Sequence, residues 1–226
     1  GWIAGRVDCN RERHSMNDIP TGNPTPPQSP ASGIIERAKN IILKPKDTWV
    51  AIDAEPATTQ SIYMPYVLVL AAIGPIAQFI GGQVFGYGAF GINFHPPIGT
   101  ALVSAILSYG LALATTFVLA LLIDGLAPNF GGQKNQVQAL KVAAYSATAG
   151  WLAGIFGLIP ALAILGLLGL YSLYLLYLGL PILMKVPQDK ALGYTVVVII
   201  AAIVLFLIVG AIVASLTAPS LSGISI

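Results

Sequence analysis

ALKVAAYSATAGWLAGIFGLIPALAILGLLGLYSLYLLYLGLPILM, residues 139–184, is an almost unbroken apolar run, and the way it divides decides the fold. One helix over the whole run would be roughly 69 Å long at a rise of ~1.5 Å per residue. That is more than twice a hydrocarbon core of roughly 30 Å. The natural break is GLIPA, where Gly157 and Pro160 end one helix and open the next. The run then becomes a tight hairpin of two crossings, 139–159 and 161–184. A re-entrant pair is the other reading, and it would reduce five crossings to three.

Three further segments reach the length of about 20 mainly apolar residues that a crossing needs: 61–82, 98–123 and 194–216. Composition agrees. Only 9% of the 226 residues are charged and 56% are hydrophobic, against about 25% charged in an ordinary soluble domain. The expected fold is all-α, an integral membrane bundle of five helices over residues 59–217, followed by a short exposed tail at 218–226. A net charge of +2 gives no basic stripe for nucleic acid. The single cysteine, Cys9, excludes an intrachain disulfide and a cysteine metal site.

Residues 1–33 belong to another regime. MNDIPTGNPTPPQSPASG is rich in Pro, Ser, Thr, Asn and Gly and has too little to bury, so it reads as disordered. No apolar segment lies between its charges and a small-residue cleavage site, so it does not read as a signal peptide. Met16 is a candidate start, with the preceding residues as an extension.

Basic residues set the expected orientation. Arg37, Lys39, Lys44 and Lys46 precede the first crossing, Lys134 and Lys141 lie between the second and third, and Lys185 and Lys190 lie between the fourth and fifth. The loop GQVFGYGAFGINFHPP, the 157–160 turn and the C-terminal tail carry no lysine or arginine. The alternation places the N-terminus in the cytoplasm and the C-terminus outside.

GIIERAKNIILKPKDTWVAIDAEPAT, residues 33–58, stands in front of the membrane. Ile34, Ile35, Ala38, Ile41 and Ile42 fall on one helical face. Pro45 ends this helix near Leu43 and opens a second one carrying Trp49 and Ile52. An amphipathic basic helix beside a membrane lies in the interface with its lysines toward anionic headgroups. Residues 34–58 are therefore expected to form a cytoplasmic interfacial segment, and Arg37, Lys39, Lys44, Lys46 and Trp49 its candidate contact face for lipid or a cytoplasmic protein partner.

The order of RAKNIILKPKDTWVAIDAEPAT, YMPYVLVLAAIGP, ALKVAAYSATAGWLAGIFGLIP and LGLYSLYLLYLGLPILMKVPQDKALGY resembles the Yip family, the Ypt/Rab-interacting membrane proteins, in its prokaryotic branch. The likeness covers roughly 34–216. It implies five crossings, a cytoplasmic N-terminus and a short exposed C-terminus. Eukaryotic relatives are linked to Rab GTPases and vesicle traffic, a role that a likeness to the prokaryotic form does not bring with it.

Tyr171, Tyr174 and Tyr177 form the other candidate set. Tyr177 lies eight residues before Lys185, roughly 12 Å at helical rise, and suits an aromatic belt. Tyr171 belongs nearer mid-membrane, where Tyr171 and Tyr174 need hydroxyl partners within the protein. Ser104, Ser108, Tyr109, Tyr145, Ser146 and Thr148 are the available ones. Two readings stand: an interhelical hydrogen-bond ladder, or a polar lining for a small solute. Gly150, Gly154, Gly166, Gly169 and Gly179 allow close helix approach within the chain, and Pro65, Gly74 and Pro75 suggest a kinked first crossing.

No charge is expected deep in the membrane, and no HExxH, GxSxG or paired intramembrane aspartates occur. His95 reads as a loop residue. The chain thus reads as non-enzymatic and without a cofactor, in a prokaryotic cytoplasmic membrane. It is expected to be a scaffold recruiting a cytoplasmic partner or anionic lipid, with a passive channel or transporter as the alternative.

Overall fold

Pro45 divides the N-terminal segment into two helices. The computed structural model describes residues 30–89 and 92–217; the tail up to residue 29, with Cys9 and Met16, and residues 218–226 lie outside that range. Helix α1 spans Pro30–Leu43 and α2 spans Pro45–Ala54. Lys44 between them has φ −134° and ψ 59°, because the residue before a proline is pushed out of the α region. Pro45 then supplies a first helical residue whose missing N–H would be unpaired anyway.

The first crossing is built from pieces. Helix α3, Thr59–Ile62, starts at a reciprocal cap in which the Ser61 N–H donates to Thr58 Oγ1 at 3.1 Å and the Thr58 N–H donates to Ser61 Oγ at 2.9 Å. A π-helical turn, Tyr63–Val67, carries Pro65 inside it. The missing proline N–H breaks the α pattern, and the chain widens by one residue per turn. Helix α4, Leu68–Ala71, ends at a second irregularity at Ala72, after which α5, Ile73–Val84, carries Pro75. The expected kink is thus two separate interruptions. Strands β1, Tyr87–Ala89, and β2, Ile92–Phe94, pair antiparallel. This short hairpin is a departure from a purely helical chain.

Helix α6, Ile98–Leu126, continues through a 3₁₀ turn, Ala127–Phe130, into Gly131 at φ 74°. Helix α7, Gln136–Ser146, is capped by Asn135, whose side chain accepts from the Gln138 N–H at 3.2 Å. Helix α8, Thr148–Ala153, runs into a 3₁₀ segment, Gly154–Leu158. Ile159 is extended, at φ −118° and ψ 108°, so the apolar run does break at GLIPA. A 3₁₀ stretch, Pro160–Leu170, leads into α9, Tyr171–Leu183, and α10, Gln188–Thr217, follows.

Four of these passages are long and apolar enough to cross a membrane: Thr59–Val84, Ile98–Phe130, Ile164–Leu183 and Gln188–Leu216. The expected crossing at 139–159 is not among them. It lies in Gln136–Leu158, where Gln136, Gln138, Lys141, Ser146 and many alanines lower the hydropathy. That run is the enclosed one. Ala139, Leu140, Lys141, Val142, Ala143 and Ala144 are all buried, with α6 and α9 packed beside them.

Close approach holds it there. A Cβ on Gly154 would lie 2.8 Å from the Cα of Gly74, so α5 and this run touch backbone to backbone. Helix α10 is peripheral by contrast: Tyr194, Thr195 and Val198 are buried, but Ile200, Phe206, Leu207 and Leu216 face outward. The lysine-bearing loops meet at one end of the bundle, where the Gln133 N–H donates to Met184 O at 2.8 Å. The 157–160 turn meets Gly81 at the other end.

Candidate functional site

The α1–α2 layer lies along the bundle with its apolar face covered. Ile41, Trp49 and Ile52 are fully buried. Helix α2 packs on α9, and the Trp49 indole sits over Gly179, where a Cβ would come within 2.8 Å of the ring. Only glycine admits the indole at that distance. The Trp49 ring also meets Tyr145 edge-on at 6.5 Å, and Tyr145 meets Tyr66 in the same manner at 4.8 Å.

A polar clasp closes over the C-terminus of α2. The last carbonyls of a helix lack partners within it. Here Lys141 Nζ donates to Ile52 O at 2.8 Å and to Glu55 O at 2.6 Å. Gln138 Nε2 donates to Asp53 O at 3.2 Å and Asp53 Oδ1 at 3.1 Å. Lys185 Nζ bonds Asp53 Oδ2. Positive groups at a helix C-terminus are favoured by its dipole. The clasp is therefore electrostatically matched: α7 and the residues just after α9 supply the cations, and the end of α2 supplies carbonyls and the Asp53 carboxylate.

Arg37 adds a second tie from α1. Its Nη2 donates to both Glu55 oxygens at 2.7 Å, and its Cζ lies 5.8 Å from the Tyr145 ring centroid. Burial pulls the Arg37 guanidinium down, but the Glu55 hydrogen bond and charge outweigh it and hold it above its ordinary value.

Of the five side chains expected to form a contact face, Trp49 packs into the bundle, and Arg37 ties α1 to Glu55 at the end of α2 while lying over the Tyr145 ring. Lys39, Lys44 and Lys46 remain exposed and make no ion pair among the described residues. The tyrosines are also divided. The Tyr171 hydroxyl donates to Ile42 O at 3.0 Å, so it ties α9 to the end of α1. The Tyr174 ring meets that of Tyr171 at a 42° tilt, 5.3 Å between centroids, and Tyr174 and Tyr177 are exposed on the outside of the chain.

Four other tyrosines join the helices. Tyr63 donates to Leu113 O at 2.9 Å, Tyr109 to Leu68 O at 3.1 Å and Tyr194 to Ile123 O at 2.6 Å, while Tyr66 and Thr148 share a bond at 2.8 Å. The Leu68 carbonyl is open to Tyr109 because the Ala72 N–H turns to Leu70 O at the break between α4 and α5.

Sequence reasoning missed Lys141, which it assigned to a loop. Gln138, Lys141, Tyr145 and Thr148 recur at helical spacing, and that polar stripe was the available signal. It faces Asp53, Ile52, Arg37 and Tyr66 in turn.

A bundle of apolar helices joined by tyrosine–carbonyl bonds, with a docked polar layer at its lysine-bearing end, defines a multi-pass helical membrane protein. The Yip1 domain matches residues 39–210, which is most of the chain, and the chain belongs to that family. It is similar to inner membrane protein YohC from two Escherichia coli strains. Each is 29% identical over 150 residues, covering 64% of this chain and 76% of the relative. These relatives place it in the prokaryotic branch, as a multi-pass cell-membrane protein. No solved structure matches the chain.

Proposed function

We propose that this chain is a non-enzymatic organiser of a prokaryotic cytoplasmic membrane, with five crossings and a cytoplasmic N-terminus, whose α1–α2 layer engages anionic headgroups. The observation that carries this reading is a set of exposed side chains, Ile35, Lys39 and Leu43 on α1 and Lys46 and Val50 on α2. Its apolar members are 70%, 66% and 62% exposed, with lysines between them in the sequence. Large apolar side chains interleaved with lysines suit a membrane surface, where the apolar tips enter the acyl boundary and the lysine stems snorkel. Each lysine near an anionic leaflet contributes about 1 kcal/mol.

The meeting of the lysine-bearing loops at one end supports the cytoplasmic assignment of that end. A fifth crossing is supported by the path of Gln136–Leu158 between the two ends, with its polar stripe turned to protein and not to lipid. A passive channel lined by Tyr171, Tyr174 and Tyr177 draws less support, because two of the three hydroxyl-bearing rings face outward.

Photo-crosslinking in cells from positions 39, 44 and 46, read by mass spectrometry, tests the reading. Enriched capture of anionic phospholipid is expected, and charge reversal at the other two lysines should remove it while insertion stays intact. Capture of lipids in proportion to their abundance would sink the proposal. Recovery of one saturable protein would replace headgroups by a cytoplasmic partner.

A further inference from the structure

At the end of the bundle away from the lysines, α5 and α6 stand apart around a cleft of about 340 Å³. Two ties bound it. The Tyr109 hydroxyl holds α6 to Leu68 O below, and Gln83 Nε2 donates to Pro96 O at 3.1 Å above. The break at Ala72 and Pro75 re-aims α5 between these ties. The α6 wall presents Thr100, Ser104 and Ser108, and the α5 wall presents Gln78 and Phe79.

The three α6 hydroxyls recur at i, i+4 and i+8, so they share one face. A helical serine or threonine can satisfy its hydroxyl by bonding back to the carbonyl four residues earlier. Thr116, Ser146 and Thr195 do this at 2.9, 2.6 and 2.8 Å. Thr100, Ser104 and Ser108 make no hydrogen bond among the described residues. Ser104 and Ser108 are half-buried and Thr100 is exposed, and all three line the cleft without a partner among the described residues. No charged side chain lines the cleft, and a charged ligand would lie there uncompensated. Its volume lies at the lower end of the range for small-molecule sites, about 300–1,000 Å³.

We propose that the α5–α6 cleft binds a neutral polyhydroxyl group, held by Thr100, Ser104 and Ser108 against Gln78 and Phe79. The group is the head of a neutral glycolipid or a free polyol; the chemistry is shared and the experiment separates the two. The full chain in lipid nanodiscs is compared with S104A/S108A, which removes two unpartnered hydroxyls and leaves both ties in place, and with Ala101→Leu, which fills the cleft.

Native mass spectrometry reads retention of a monoglycosyl diacylglycerol doped into the discs. Saturation-transfer NMR reads free glycerol. Retention of the glycolipid that falls at least about tenfold in both variants assigns the lipid head, since each lost hydrogen bond weakens binding severalfold. A glycerol signal lost in both variants assigns the free polyol. Binding of neither probe, or equal binding by wild type and both variants, overturns the proposal.

Discussion

Gly179→Ala should release the N-terminal layer without dismantling the bundle. The new Cβ would lie 2.8 Å from two carbons of the Trp49 indole, about 0.6 Å inside ordinary contact, which begins at 3.4 Å. The indole cannot retreat easily: it is fully buried and also meets Tyr145 edge-on. Overpacking of this kind costs roughly 1–3 kcal/mol, which multiplies the undocked population by about 5 to 140 at 1.4 kcal/mol per tenfold.

Hydrogen exchange of residues 34–54 in nanodiscs reads that population directly. Protection across α1 and α2 should fall by the same factor while α6 and α10 are unchanged. Trp49→Phe withdraws the colliding benzo carbons and should restore protection in the double variant. The indole N–H has no hydrogen-bond partner among the described residues, so removing it relieves an unpaired buried donor and limits the loss from the smaller ring. Unchanged exchange in Gly179→Ala, or a double variant no better protected than the single one, would refute the packing argument.

Lys141→Met strips the ammonium from two α2 carbonyls, and charged hydrogen bonds contribute about 1.5–3 kcal/mol each. Limited proteolysis should cut near residues 54–58 at least tenfold faster, with no change in the membrane-embedded fragments. A double-mutant cycle on Arg37→Ala and Glu55→Ala should give a coupling below about 1 kcal/mol, because the side chains are 27% and 43% exposed; the same exchange assay measures it. Tyr194→Phe should lower thermal stability by about 1 kcal/mol through the lost bond to Ile123 O. Tyr177→Phe, on an exposed side chain, should stay within ~0.5 kcal/mol in the same melt.

Proline-directed breaks were legible in the sequence. Lys44–Pro45 and Ile159–Pro160 both interrupt the helix where the pre-proline restriction demands it, and Gly154 and Gly179 both mark close approaches. The working tyrosines were not legible. Tyr171, Tyr174 and Tyr177 attract notice by their period of three, yet each step of three turns a helical side chain about 60° away from its predecessor. The row therefore walks off the protein face after Tyr171. Tyr109 and Tyr194 stand singly, Tyr63 shares a spacing of three with Tyr66, and the partners of Tyr63, Tyr109 and Tyr194 are backbone carbonyls of distant helices, which leave no trace in a sequence.

The enclosed run shows why hydropathy ranks a segment low at the centre of a helical bundle. Hydropathy measures transfer to lipid, so it ranks a helix by how well its whole surface tolerates hydrocarbon. Helix α10 satisfies that test and is the least enclosed of the long helices. Gln136–Leu158 fails it and lies in the middle, because its neighbours are helices α6 and α9, the first crossing and the α2 C-terminus. There Lys141 meets carbonyls, Gln138 meets Asp53, and Thr148 meets Tyr66. A polar group costs little where the protein supplies its partner and a great deal where lipid surrounds it. The polar stripe that lowers this segment's apolar character is the same feature that locks it to its neighbours. The most apolar helix is left to face the bilayer.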